Sequence, residues 1–479
     1  MEKKALGGLS HLFVTAFLSS FGTFIVIPAI TDVTIAAVCP AQDQCSLAIY
    51  LTGIQQAVIG LGTVVMMPVI GNLSDVYGRK ALLTLPLTLS IIPLVILAYS
   101  RETNFFYAYY VLRILTAMVS EGSTNCLALA YVADRISEGK RASAFAILSG
   151  VISAALVCGT LAARFLSPAS AFQVAAFVSM AAAVYMRVFL KESIANGNGL
   201  TQPILKEGPD NSAQIDCDLP RHVPVFKKIP SVGDLVCLLK SSVTLSQVAV
   251  VAFFQSLAEN GMMSSLMVIF SGFFIPFFVQ TISDEIIFLS PWMDCPMQYF
   301  LKARFQYDKN QYADLMLIMA VAGTLSQLVL MPILVPAMGE GRLLSIGLLL
   351  GSVNTIIYSI SWSAWVPLAV TLFSGFQVIV TPSLRSIASK QVGPNEQGKA
   401  QGCISGISSS ANIIAPLIFS PLTALFLSEA APFYFPGFSI MCIGLATIIA
   451  FIQSCIIRAA PTSSTKSAAT EDDVEGASP

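Results

Sequence analysis

Three ionisable side chains lie inside long apolar stretches of this sequence. Arg113 and Glu121 are in "YYVLRILTAMVSEGS", and Glu259 is in "FFQSLAENGMMSS". An arginine at the centre of a membrane helix costs about 2.5–3.5 kcal/mol on insertion scales, so it should face a cavity and find a partner. Burial disfavours the charged form of a carboxylate, which suits a group that binds and releases protons. We expect these three residues to handle charge or protons, with a polar contact between helices as the alternative role for the two glutamates.

A polar stretch, "GNLSDVYGRK" at residues 71–80, separates two apolar runs. Gly71 can end a helix in the left-handed conformation, and Gly78 allows a second tight bend. Asp75 and Arg79 are four residues apart, near enough to form an ion pair. A basic turn that only fixes topology is the alternative, but the pattern G-x-L-x-D-x-x-G-R-K is long and specific.

The elements that must position these residues are apolar runs of membrane-spanning length. Hydrophobic residues make up 55% of the 479 residues and charged residues 11%, against about 25% charged in soluble proteins. A run of about 20 apolar residues crosses the hydrocarbon core. The sequence therefore predicts an all-α, polytopic membrane protein with twelve transmembrane helices. The predicted spans are 9–30, 47–70, 81–99, 105–131, 142–166, 171–190, 243–267, 313–337, 343–361, 366–388, 400–427 and 434–457.

The longest polar interval divides these spans into six and six. The predicted domains are an N-terminal half (1–190), a cytosolic central loop (191–242), a C-terminal half (243–458) and a tail (459–479). The tail is rich in Ser, Thr and acidic residues, a composition typical of disorder. A short amphipathic helix on the membrane surface is predicted at the end of the central loop.

The distribution of basic residues predicts the orientation. With a cytosolic N-terminus, 20 of the 26 Lys and Arg, including three in 385–399, fall in cytosolic segments and five fall in outer loops. Cytosolic loops of membrane proteins are enriched in these residues, so both termini are predicted to be cytosolic. Loop 31–46 then faces the other side, where Cys39 and Cys45 either form a disulfide or stay as two free thiols.

Polar residues within the spans are candidates for contact with a solute, although hydrogen bonding between helices is their ordinary use. The two histidines are far apart and no CxxC pair occurs, so no metal or cofactor is predicted. "GPNEQGKA" nearly matches a phosphate-binding loop, but Ala400 lacks the required hydroxyl, so no nucleotide is predicted. The net charge of −1 gives no sign of a nucleic-acid partner. The five candidate amides are Gln55, Gln255, Gln327, Asn354 and Gln377.

The two halves resemble each other at their cytosolic turns. "YGRKALL" corresponds to "GEGRLLSIG", and "DRISEGKRAS" to "KQVGPNEQGKAQ". Major facilitator transporters are built from such halves, and the stretch 71–80 resembles the signature loop of that superfamily. Arg113 resembles the arginine in the family's fourth helix, although Ala117 replaces the expected glycine. "PAITDVT", "YLTGIQQAVIGLG", "LAENGM" and "SKQVGPNEQGKAQGCISGI" are similar to the hippocampus-abundant-transcript-like, tetracycline-resistance-like branch, in particular its plant-type members.

This resemblance implies a transporter, not an enzyme, that moves a small organic solute across the bilayer by alternating access, with proton coupling. It also implies a conformational clamp that meets the start of the eleventh predicted span, 400–427, near Lys399 and Ala400. The antiporter motif G-P-x-x-G-G is absent, since helix 5 has "GTLAAR" from Gly159. A monomer is expected. The alternatives are a proton-independent facilitator and a non-transporting membrane adaptor that keeps the fold and acts through 191–242. The clamp residues are Gly71, Asp75, Gly78, Arg79 and Lys80.

Residues 268–298 depart from the resemblance, since similar proteins pass from helix 7 directly to the counterpart of Tyr299. Six of the 30 phenylalanines fall in these 31 residues, which contain no Lys or Arg. A translated intron is our interpretation, and a genuine outer or re-entrant insertion is the alternative. The apolar part, 268–281, is too short to add a span.

Overall fold

The computed structural model describes residues 2–38, 46–163, 165–193, 238–240, 242–263, 301, 305, 309–393, 396–427 and 431–459. Within these residues the regular secondary structure is helical throughout, as predicted. Cys39, Cys45 and the insertion 268–298 lie outside the described residues, as do nearly all of the central loop and the whole tail.

The N-terminal half contains eight described α-helices. They are α1 (Glu2–Phe24), α2 (Ile27–Val38), α3 (Ser46–Tyr77), α4 (Arg79–Tyr99), α5 (Thr103–Ser120), α6 (Ser123–Arg135), α7 (Arg141–Ala163) and α8 (Pro168–Phe189). The C-terminal half likewise contains eight. They are α9 (Val243–Met263), α10 (Lys309–Leu325), α11 (Met331–Met338), α12 (Glu340–Ser359), α13 (Trp365–Phe373), α14 (Val380–Lys390), α15 (Gln397–Leu427) and α16 (Phe438–Ala459).

Each predicted span coincides with a described helix or helix pair. Nine described segments are long and apolar enough to cross a membrane, and predicted spans 1, 4 and 7 are not among them. Spans 1 and 4 are each divided in two, at Ile25–Val26 and at Glu121–Gly122, and α9 is described only as far as Met263. Spans 8 and 10 also change geometry midway, through a π-helical segment at 326–330 and a 3₁₀ segment at 374–379.

Each half has its own apolar core, and helix faces turned away from the cores remain apolar. On α8, for example, Phe177, Val184 and Val188 are more than half exposed. Such exposed apolar surface is rare in soluble proteins and is expected where lipid is the solvent. The halves meet along two seams: α3 packs on α15, and α7 packs on α10 and α11.

Candidate functional site

The predicted clamp residues lie where α3 ends and α15 begins. The Asp75 carboxylate accepts hydrogen bonds from the backbone N–H groups of Gly398 (2.9 Å) and Lys399 (2.8 Å). These groups belong to the first turn of α15, where N–H groups lack helical partners and the helix dipole favours negative charge. Asp75 therefore caps a helix of the C-terminal half from the N-terminal half.

Arg79 holds Asp75 in this position. Its guanidinium is fully buried, forms an ion pair with Asp75, hydrogen-bonds the Ser74 hydroxyl, and donates from Nε to Asp134 Oδ2 at 3.0 Å. The sequence predicted the Asp75–Arg79 pair but missed Asp134, which comes from the end of α6. Among the described residues the Lys80 side chain has no hydrogen-bond or ion-pair partner, and Lys80 contributes its backbone N–H instead.

The expected helix end at Gly71 was wrong. Helix α3 continues to Tyr77, and in this stretch only Gly78 has a positive φ, of 95°. Gly71 instead lies in a seam of glycines where α3 and α15 touch backbone to backbone. A Cβ atom on Gly402 would be 2.8 Å from Met67 O, and one on Gly406 would be 2.9 Å from Pro68 Cγ. Small residues thus permit the close approach that Asp75 needs.

The chain that follows α8 is bound to the clamp. We call Lys191, Glu192 and Ser193 the strap. Ser193 Oγ donates to Asp134 Oδ2 at 2.9 Å, and the Tyr131 hydroxyl donates to Lys191 O at 2.7 Å. The Glu192 carboxylate accepts from the Lys80 N–H at 3.1 and 3.2 Å, which caps α4. These contacts join the first residues of the predicted central loop to the clamp, and nothing in the sequence pattern indicated them.

Substitution of Gly78 by alanine is expected to destabilise the protein by about 1–3 kcal/mol, the usual cost of a strained backbone conformation. The φ of 95° disfavours any L side chain, and a Cβ atom would lie 2.8 Å from the Glu192 carboxyl carbon. Gly139→Ala is the matched control, because a Cβ there meets no atom within 4 Å. Thermal unfolding of the purified variants tests this, and equal midpoints for the two would contradict it.

A second charged group joins the halves at the same end of the molecule. Arg141, at the start of α7, donates to the Ser389 carbonyl (3.1 Å) near the end of α14. A cation near the last carbonyls of a helix complements the negative end of its dipole. Asp75 and Arg141 therefore cap the two helix ends that flank residues 391–396. Within the C-terminal half, Lys390 pairs with Glu340 at 2.8 Å.

Arg113 and Glu121 form an ion pair, with 3.3 Å between Nη2 and Oε2. The helix is broken beside this pair, because Glu121 is extended and Gly122 is left-handed, with φ 75°. Both side chains are partly exposed, at 28% and 41%. The predicted span 105–131 was continuous, whereas the structure breaks the helix at Glu121–Gly122, beside this ion pair.

Glu259 is the third ionisable residue predicted within a span. Its side chain is exposed, and α14, α15 and α16 pack around the helix that carries it. Gln255 Nε2 donates to Glu259 Oε1 at 2.9 Å, and Thr381 of α14 lies nearby. Arg385, one turn further along α14, interacts with Glu259 through space.

Arg385 corrects the sequence analysis, which counted it among the cytosolic basic residues. It lies inside a membrane-length segment, Trp365–Lys390, and donates from Nη1 to Gln401 Oε1 and Ser405 Oγ, both at 3.1 Å. The predicted span 366–388 already contained Arg385, so the sequence could have placed this arginine within the membrane.

The candidate amides occupy different environments. Gln255 lies beside Glu259, and Gln327, in the π-helical segment, accepts from Ser153 Oγ of α7 at 3.1 Å across the interface between the halves. Gln377 packs against Gly351 of α12, within 3.2 Å of an added Cβ, so it faces a neighbouring helix of its own half. Gln55 and Asn354 are partly buried. Of the five candidate amides, Gln255 is the one for which the described residues show a contact with Glu259.

Comparisons with known proteins identify the class of this fold. A sequence profile of the Major Facilitator Superfamily matches residues 12–416, so the chain belongs to that superfamily. It is 21% identical over 381 residues to hippocampus abundant transcript 1 protein of Mus musculus, covering 78% of this chain and 66% of that protein. It is 22% identical over 362 residues to tetracycline resistance protein, class G, of Vibrio anguillarum, covering 75% and 77%. The predicted branch is thereby confirmed.

Solved structures of transporters share the fold. The human organic anion transporter MFSD10 (TETRAN) superposes with a TM-score of 0.69 at 15% identity, covering 94% of this chain and 99% of that one. The E. coli fucose:proton symporter FucP gives a TM-score of 0.62 at 12% identity, covering 96% and 100%. The chain is therefore a multi-pass membrane protein with the major facilitator fold, and it spans slightly less than two thirds of the length of the hippocampus abundant transcript relatives.

Proposed function

We propose that this protein is a secondary-active transporter that moves a small organic solute by alternating access and couples it to protons through Glu259. The observation that carries the proposal is the pairing of a clamp between the halves with a titratable carboxylate in the interior. The clamp is made of short polar contacts that can break and re-form, and we place the carboxylate on the path of the solute. The superposable fucose:proton symporter couples a solute to protons, according to its name.

Alternating access requires that contacts between the halves open at one end while others form at the opposite end. At the clamp end the halves are in contact. Asp75 of α3 caps α15, Arg141 of α7 caps α14, and the glycine seam brings α3 against α15. Solute binding would shift the equilibrium between this state and its counterpart by as much as its affinities for the two differ. We place this end, both termini and the central loop in the cytosol, and the carrier acts as a monomer.

The experiment is proton-driven solute flux into proteoliposomes that contain wild type or Glu259→Gln. Glutamine keeps the shape of the side chain and a hydrogen bond to Gln255 but cannot exchange a proton. We expect the variant to lose the dependence of flux on a pH gradient while solute exchange at equal pH continues. Glu102→Gln, an exposed glutamate before α5, is the matched control and should behave as wild type.

Two outcomes separate the alternatives. Flux that responds to the pH gradient equally in wild type and Glu259→Gln would remove Glu259 from coupling. Flux that ignores the gradient already in wild type would favour the proton-independent facilitator. Deletion within 191–242, after the strap, addresses the adaptor: a carrier keeps its flux, whereas an adaptor loses its phenotype without ever having shown flux.

A further inference from the structure

Among the described residues, two acid–base pairs lie within the predicted spans, and only one of them forms a direct ion pair. Arg113 and Glu121 are in direct contact at 3.3 Å. Arg385 and Glu259 interact through space, yet among the described residues no carboxylate lies within 4.0 Å of the Arg385 guanidinium. The structure therefore holds a cation in the interior beside an acid that it does not touch.

The partners of Arg385 are neutral. Within the described part of the chain, both of its hydrogen bonds leave from Nη1, to the Gln401 amide oxygen and the Ser405 hydroxyl. A guanidinium has five N–H donors in a planar fork that fits a carboxylate or phosphate. In the part of the chain that the structure describes, Nε and Nη2 have no acceptor, and the side chain is partly accessible. A cation away from bulk water needs an anion more than it needs neutral acceptors.

Gln255 can serve both protonation states of Glu259. Its Nε2 donates to Glu259, while its own Oε1 is buried without a hydrogen-bond partner among the described residues. Rotation of the amide by 180° would turn Oε1 towards Glu259, where it would accept a hydrogen bond from a protonated carboxyl. Because the oxygen has no partner to lose, this rotation breaks no other described hydrogen bond.

One charged side chain on the helices packed around Glu259 interacts with it. Helix α9 packs against α14, α15 and α16. Among the described titratable side chains on those helices, only Arg385 interacts with Glu259. These side chains are Arg385 and Lys390 on α14, Lys399 and Cys403 on α15, and Cys442 and Cys455 on α16. Cys126 of α6 lies near Arg385 and Ser405.

We propose that the space between Glu259 and Arg385 is a binding site for the anionic group of an organic solute, held by Arg385 and loaded together with a proton on Glu259. This inference rests on the proposed transport function and names its substrate class. When the site is empty, ionised Glu259 balances Arg385. When it is loaded, the proton neutralises Glu259 and the solute anion balances Arg385. The net charge is zero in both states, so the carrier can reorient loaded or empty without an uncompensated charge in the membrane.

A cationic or neutral solute does not meet this condition. A cation bound at Glu259 would leave the Arg385 charge without a counter-ion, and a neutral solute bound with a proton on Glu259 would do the same. Anions with a carboxylate, sulfonate or phosphate group share the required chemistry, and the guanidinium fork favours a planar carboxylate.

The test is ligand binding to the purified full-length protein, measured as a shift in thermal unfolding midpoint. The probes are 2-naphthoate, 2-naphthamide and 2-naphthylmethylammonium, which differ in charge but share a ring system, with naphthalene-2-sulfonate and 2-naphthyl phosphate as further anions. We expect anions alone to raise the midpoint, more strongly at pH 5.5 than at pH 7.5. In Arg385→Gln, anion binding should weaken about 10-fold to 100-fold, the usual worth of charge-assisted hydrogen bonds.

Three further variants keep the result interpretable. Arg385→Lys retains the charge and should recover part of the anion affinity, whereas Arg342→Gln, an exposed arginine at the start of α12, should bind as wild type does. Glu259→Gln should bind anions with no dependence on pH. The proposal is overturned if Arg385→Gln binds anions as wild type does, if the ammonium or amide probe binds instead, or if none of the three anions binds. Flux of any solute in proteoliposomes would leave the transport function standing in each of those cases.

Discussion

Arg79→Ala is expected to lower the stability of the protein by about 3–5 kcal/mol and to abolish transport. The guanidinium is fully buried and satisfies Asp75 and Asp134 together. Removing it leaves two carboxylates without a counter-ion, and breaking a buried ion pair from one side typically has this cost. The capping of α15 by Asp75 would be lost with it, because Asp75 would no longer be held against Gly398 and Lys399.

Thermal unfolding and solute flux of the same preparation measure both parts of this prediction. Arg101→Ala is the matched control, since that arginine is exposed in the turn between α4 and α5. Its midpoint and flux should equal those of wild type. Retention of wild-type flux by Arg79→Ala at full folded yield would mean that the clamp is not needed for transport.

Gly402→Leu is expected to abolish transport without unfolding either half. Leucine is a better helix former than glycine, so α15 should persist. A Cβ atom at this position would lie 2.8 Å from Met67 O and 3.2 Å from Gly71 Cα, both backbone atoms that cannot move aside alone. The two halves would therefore be unable to close at the clamp end.

The control for this substitution is Gly341→Leu, because a Cβ on that helical glycine meets no atom within 4 Å. Flux should stay at the wild-type level there and fall to background in Gly402→Leu, while both proteins elute as folded monomers. Normal flux in Gly402→Leu would show that the seam does not have to close as tightly as the structure has it.

The helices could be predicted from the sequence because one physical requirement dominates them. About 20 apolar residues are needed to cross the hydrocarbon core, and that length is easily recognised along the chain. The Asp75–Arg79 pair was predictable because both residues lie in one short pattern. The contact of Asp75 with α15, 323 residues away, followed from resemblance to a family and not from the pattern itself.

The strap and Arg385 were not predictable in the same way. Glu192 and Ser193 act through residues about 60 to 110 positions earlier in the chain, and nothing periodic marks such contacts. Arg385 lies in "TPSLRSIASK", a polar sequence that resembles a loop end, although it occupies a helix. The break at Gly122 was equally hidden, since a single glycine within an apolar run has many uses.

The measurement that most directly tests alternating access is the distribution of distances between spin labels on either side of the clamp, in lipid bilayers. Labelled unnatural amino acids at Val76 and Glu396, both exposed, leave the native cysteines in place. Alternating access predicts a short and a long population of distances in wild type and a shift to the long one in Arg79→Ala. A single short distance, the same in both proteins, would contradict alternating access and would leave a static membrane protein with a transporter's fold.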